Sequence, residues 1–203
     1  MFFNKKIKNF RLTSENQKLN ILTKHKVDFV ININFNKKFS RISAEDFIKK
    51  NIYKKISPRL LAVSNNFKFG KNRRGDVKLL SKFSNLYNYK LLNIKPFKYL
   101  NKTVSSTKIR NYLIGGNIDL ANKLLSRTWS IEGYVKSGNK IGRKLGYRTC
   151  NIKIKNYIIP KPGIYAVKVS VGDKVKVHGG VAYLGTRPTF AGKEIFLEVN
   201  IFN

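Results

Sequence analysis

The sequence predicts an α/β layer followed by a small all-β barrel or sandwich. Two observations carry this. Helix-like and strand-like segments alternate from the start to about residue 125, and after residue 128 only short strand candidates remain, separated by segments containing Gly, Pro, Asp or Asn. Hydrophobic residues make up 42% of the chain and aromatics 12%, enough apolar material to build folded cores. At 203 residues two small domains fit, since about 100 residues already bury an adequate core.

In the first part, Ser14 with Gln17 forms a capping box ahead of Leu19, Ile21 and Leu22, which predicts a short helix. Val27 to Phe35 alternates Phe29, Ile31, Ile33 and Phe35 with other residues, which predicts a strand. Ser43 opens a helix through Phe47, Ile48, Ile52 and Tyr53. Leu60 to Val63 reads as a short buried strand, and the loop after it, rich in Asn, Gly and Arg, lies where a ligand could sit in a parallel sheet. Asp76 caps a further helix, Lys90 to Ile94 forms a strand, and Ser105 starts a helix that stops at Gly115-Gly116.

In the second part the strand candidates are Trp129 to Val135, Ile152 to Ile154, Ile164 to Val171, Lys174 to Tyr183 and Ile195 to Ile201. No helical period of useful length interrupts them, as in a barrel or sandwich. The boundary is placed between Leu125 and Trp129, giving domains 1–126 and 127–203.

A formal charge of +32 invites a nucleic-acid or membrane reading. The basic residues are mostly Lys, are scattered from end to end, and accompany many Asn and Ile residues, which points to drift in an A+T-rich genome instead of a dedicated binding face. The field still favours phosphate-bearing substrates. Cys150 is the single cysteine, so the chain holds no intramolecular disulfide, and a reducing cytoplasm fits. No segment approaches the ~20 apolar residues of a membrane span, and the opening Met1 to Lys6 does not lead into a signal-peptide core.

The segment Gly133 to Asn151 concentrates the chemistry. Gly138, Gly142 and Gly146 let backbone approach a ligand, while Lys140, Arg143 and Lys144 supply charge for phosphates. Thr149 and Asn151 point to one face of an extended segment, offering a hydroxyl and an amide oxygen suited to Mg²⁺ carrying nucleotide phosphates. Read alone, the same residues also fit a barrel with Gly-rich turns. Ser105, Ser106 and Thr107 at a helix N-terminus, with Arg110 one turn on, form either an anion site or a simple cap.

From Gly138 onward the chain resembles the riboflavin kinase signature, a G-x-x-x-G-R-x-x-G run before Pro-Thr-Ala-Asn, here Arg148-Thr149-Cys150-Asn151. The likeness continues through Pro162-Gly163-Ile164-Tyr165-Ala166-Val167, Gly180-Val181-Ala182, Leu184 to Phe190 and Leu197-Glu198-Val199. The earlier part resembles the FMN adenylyltransferase module of bacterial FAD synthetases. Val27-Asp28-Phe29-Val30, Ser43 to Ile48, Phe67-Lys68-Phe69-Gly70 with Arg74-Gly75-Asp76, and Val104 to Arg110 carry that likeness. The resemblance implies a nucleotidyltransferase-like (Rossmann-like) α/β module before a riboflavin kinase-like barrel. It implies Glu198 as catalytic base, Gly138, Arg143, Thr149 and Asn151 on ATP phosphates, Thr149 and Asn151 on Mg²⁺, and Ser105, Ser106, Thr107 and Arg110 on ATP of the other module.

The family's His-x-Gly-His has no counterpart here, because the histidines are His25, a helix-end residue, and His178, a strand or turn residue. Ser64-Asn65-Asn66-Phe67 stands where the family has Gly-x-Asp-Phe. The resemblance starts around Phe10 and stops just after Glu198, so a family member truncated at both ends is expected, marginally stable, with exposed strand edges. The implied function is riboflavin phosphorylation with an FMN adenylyltransferase module inactive in this chain alone. The substrates are riboflavin, FMN and ATP, in the cytoplasm, with no specific nucleic acid and no membrane. A non-catalytic flavin- or nucleotide-binding fragment, or a basic RNA-binding protein, is the alternative.

Overall fold

The computed structural model describes residues 9–136, 149–154, 156–172, 176–189 and 192–202, with the side chains of 187–189 and 192–194 left aside. Two compact units emerge. One spans Phe29–Val104, and the other joins the described residues of Lys5–Asp28 to those of Ser105–Asn203. The composition change between Leu125 and Trp129 lies inside the second unit.

In the first unit, Asn36 caps α2 (Lys37–Ser40) by accepting from the Phe39 N–H, and Ser43 caps α3 (Ala44–Asp46) by accepting from Asp46. The helix continues through π-type turns over Phe47–Tyr53 into α4 (Lys54–Ile56), which closes on Ser57 in the left-handed region. Strand β1 (Leu60–Ser64) pairs in parallel with β2 (Lys90–Ile94), Leu61 opposite Leu91, and α5 (Val77–Leu86) connects them with Asp76 as its cap. Helix α5 buries Leu80 among Ala44, Ile48, Ile52 and Phe69, with Leu61, Val63 and Leu91 packed against that core. The buried Tyr89 hydroxyl donates to the Leu80 carbonyl, and burial pushes its pKa up.

Two strand expectations are corrected here. Leu60 to Val63 is not buried on both faces, because Leu60 is 57% exposed while Leu61 and Val63 face the core. Val27 to Phe35 forms no strand, and Phe29 is 89% exposed. Its alternating pattern marked apolar surface, but the parallel sheet of this unit comprises β1 and β2 alone among the described residues. A hairpin absent from the sequence reading, β3 (Lys98–Tyr99) with β4 (Lys102–Thr103), turns on Leu100 and Asn101, both at positive φ as a two-residue primed turn demands.

In the second unit, α1 (Glu15–Lys24) begins with the predicted capping box of Ser14 and Gln17. Helix α6 (Ser106–Ile114), capped by Ser105, ends at Gly115-Gly116 as expected. Asn117 then starts α7 (Ile118–Leu125), which the sequence reading did not identify. A five-stranded antiparallel sheet follows in the order β5 (Val135–Lys136), β6 (Thr149–Ile152), β9 (Gly192–Ile201), β8 (Val177–Thr189), β7 (Gly163–Ser170). This sheet-rich region fits a barrel-like domain. Its core is Ala182, Leu184, Leu197 and Val199, flanked by Ile152, Tyr165, Val167 and Ile195.

Trp129 to Tyr134, expected as most of a strand, carries no ladder. The Trp129 N–H donates to the Asn122 side chain and its indole to the Leu12 carbonyl, while Ser130 receives the Gln17 amide. These polar groups are committed to the helices and the N-terminal segment instead of a neighbouring strand. Among the described residues no helix is long and apolar enough to cross a membrane.

Candidate functional site

Strand β9 lies between β6 and β8, so its residues have neighbours on both sides. Side chains alternate along a strand, and directly opposed residues of antiparallel strands share a face. Leu197 and Val199 point into the apolar core. Glu198 between them therefore occupies the other face, where Asn151 of β6 stands opposite it on one side and Tyr183 of β8 on the other. One step along, Thr149 opposes Asn200. Directly opposed Cβ atoms lie about 4.5–5.5 Å apart, close enough for Asn151 and Glu198 to act on one bound molecule.

The polar patch is thus a consequence of strand alternation. The register that turns Cys150 and Ile152 toward the core side, opposite Val199 and Leu197, turns Thr149 and Asn151 to the other face, and a slip by one residue would invert both sets. Thr149 is exposed, whereas Asn151 and Glu198 are half-buried. Among the described residues no cluster of three or more His, Cys, Asp or Glu side chains could hold a metal ion. A hydroxyl and an amide oxygen on one accessible face instead match a hard cation that arrives with its own phosphate ligands.

Gly138 and Arg143, with Lys140 and Lys144, lie outside the described residues. The second predicted cluster sits at the start of α6. The Ser105 hydroxyl accepts from the Lys108 N–H at 3.3 Å, and Ser106 and Thr107 are exposed in the first turn. Arg110 turns its Nε to the Phe10 carbonyl at 2.7 Å, with the guanidinium carbon 5.9 Å from the centre of the Phe10 ring. His25 closes α1, exposed, and His178 lies in β8 opposite Val169.

Sequence reasoning missed Tyr183, the second neighbour of Glu198. Only pairing across the sheet reveals it. The pattern Gly180-Val181-Ala182-Tyr183-Leu184 shows alternation, but not which residue of another strand it meets.

The chain thus combines a parallel α/β pair with an antiparallel sheet that carries Thr149, Asn151 and Glu198 on one face. The FAD synthetase family model matches residues 1–108, and the riboflavin kinase family model matches residues 125–203. The first match begins at residue 1, ahead of Phe10, where the sequence likeness was placed. The chain belongs to the bifunctional riboflavin kinase/FMN adenylyltransferase family.

A relative of that name from Buchnera aphidicola subsp. Schizaphis graminum (strain Sg) is 40% identical over 205 residues, covering 100% of this chain and 65% of its own length. One from Escherichia coli (strain K12) is 36% identical over 193 residues, covering 95% and 61%. The chain thus spans somewhat less than two thirds of these curated relatives. A crystal structure titled as a macrolide-efflux protein from Streptococcus pneumoniae superposes with a TM-score of 0.84 at 26% identity, covering 95% of this chain and 61% of that one.

Proposed function

We propose that this protein transfers the γ-phosphoryl group of ATP to the 5′-hydroxyl of riboflavin, giving FMN and ADP, in the cytoplasm. The observation that carries this is the placement of Asn151 directly opposite Glu198 on the face of the sheet turned away from its apolar core, within the segment matched by the riboflavin kinase family model. Glu198 serves as the base. Its carboxylate accepts the proton of the 5′-hydroxyl as that oxygen bonds to the γ-phosphorus, and the bond from phosphorus to the bridging oxygen breaks as ADP leaves.

Thr149 and Asn151 would hold Mg²⁺ entering with ATP, and the ion would supply neutralisation of phosphate charge. Positioning dominates phosphoryl transfer, so side chains fixed by a sheet suit it better than loop residues would. Gly138 and Arg143 complete the phosphate contacts in this reading. The functional modules are residues 1–126 and 127–203, the former a nucleotidyltransferase-like α/β module in which Ser105, Ser106 and Thr107 would bind ATP, and Arg110 would join them only on leaving the Phe10 carbonyl. FMN adenylylation to FAD is its companion activity in the family name. The two histidines, His25 and His178, do not form the His-x-Gly-His pair, so these 203 residues alone form no FAD.

The experiment is a chromatographic assay of the purified chain with riboflavin, ATP and Mg²⁺ beside Glu198→Gln. FMN formed by the native chain and lost in the variant supports the assignment. Absence of FMN from a demonstrably folded chain favours a non-catalytic flavin- or nucleotide-binding relative, and FAD formation overturns the claim about the first module.

A further inference from the structure

We propose that residues 10–17 act as a strap that is part of the unit built on the five-stranded sheet, so that α1 opens and closes with that sheet. Phe10 and Arg11 both donate their backbone N–H groups to the Asn156 carbonyl, at 3.2 and 2.9 Å, and the Ile158 N–H donates to the Arg11 carbonyl at 2.8 Å. Arg11 and Tyr157 form a parallel bridge. The Phe10 carbonyl receives Arg110 and the Leu12 carbonyl receives the Trp129 indole at 2.8 Å. Backbone groups at three successive strap residues are therefore satisfied by residues distant in sequence.

Gln17 ends the strap in a buried polar node. Only 6% of it is exposed, and both ends of its amide are engaged. Its Oε1 accepts from the Ser14 N–H at 2.8 Å and from the Tyr157 hydroxyl at 2.9 Å, while its Nε2 donates to the Ser130 carbonyl at 3.1 Å and hydroxyl at 3.0 Å. The Tyr157 hydroxyl also accepts from the Glu132 N–H at 3.2 Å, and Tyr157 is 3% exposed. A satisfied buried network is stable as a whole, whereas removing one member leaves the others desolvated without partners.

The node reaches both ends of the β5–β6 pair, of which β6 also pairs with the strand that bears Glu198. Residues 129–132 lead into β5, and residues 156–158 follow β6, which bears Thr149 and Asn151. Loosening Gln17 therefore releases α1 and the β5–β6 pair together. This inference uses no catalytic assignment and stands or falls independently of the proposed reaction.

Hydrogen–deuterium exchange of the full chain, read by mass spectrometry on the wild type, Gln17→Ala and Tyr157→Phe, tests it. Exchange should accelerate on the order of ten-fold in peptides covering 10–24, 129–136 and 149–158, with β1 and α5 of the Phe29–Val104 unit unchanged. Unchanged exchange over 10–24 in both variants overturns the proposal, as does acceleration of equal size in β1 and α5. Should Gln17→Ala not fold, Tyr157→Phe, which keeps the buried ring, decides alone.

Discussion

Asn151 and Glu198 face each other across the β6–β9 ladder, one on the strand after the Gly-rich segment and the other on the middle strand of the five. In the proposed reaction both side chains act on one ligand, so their contributions to its turnover should be coupled. Removing a positioned base costs about 10²–10⁴-fold in rate. For Glu198→Gln, Asn151→Ala and the double variant, the loss in kcat/KM of the double should fall well short of the product of the single losses. Steady-state FMN formation measures this, and strictly multiplicative losses would mean that the residues act separately.

Gly70 holds φ +71°, and a Cβ there would lie 2.7 Å from the Cα and N of Ala44, the buried residue that begins α3. Backbone cannot yield as a flexible side chain can. Gly70→Ala should destabilise the Phe29–Val104 unit by about 1–3 kcal/mol. A chemical-denaturation midpoint for that unit, followed by peptides around Leu80, reports the loss. An unaltered midpoint would show that the turn relaxes freely.

Asp76 accepts the Leu79 N–H at 3.0 Å and pairs with Lys68 at 3.2 Å. The backbone hydrogen bond first, then the lysine, holds its pKa below the ordinary 3.8. The lowered folded value means that its contribution is present above the unfolded pKa and disappears as pH falls through the folded one. Asp76→Asn keeps a capping oxygen but cannot titrate. The stability gap between the two proteins should be widest at neutral pH and shrink below the carboxylate range, as thermal unfolding over a pH series will show. A gap independent of pH excludes this linkage.

Local signals carried the helices. Ser14, Ser43, Asp76 and Ser105 each announced a helix that forms, because a cap is a contact within three residues. Strands were legible as apolar alternation but not as partnerships. Val27 to Phe35 shows the same periodicity as Ile195 to Ile201, yet only the latter finds strands on both sides. The candidate site was legible through family likeness at Thr149, Asn151 and Glu198. That Asn151 meets Glu198, and that Tyr183 flanks it, depends on register between distant segments, which no local pattern encodes. Gln17 looked like half of a capping box, and it is that, but its amide also joins residues 113 and 140 positions away.

The apolar side of β1 and β2 that turns away from the core, with Leu60 57%, Leu92 50% and Ile94 50% exposed, sits on a chain of charge +32. Mutual repulsion keeps such molecules apart in dilute buffer, and its range shrinks from about 10 Å at 0.1 M salt to about 3 Å at 1 M. Added electrolyte therefore removes the barrier between sticky faces without weakening their attraction. The colloidal behaviour should run opposite to that of a protein salted in: clear at low ionic strength, turbid as salt rises, and clear again on dilution.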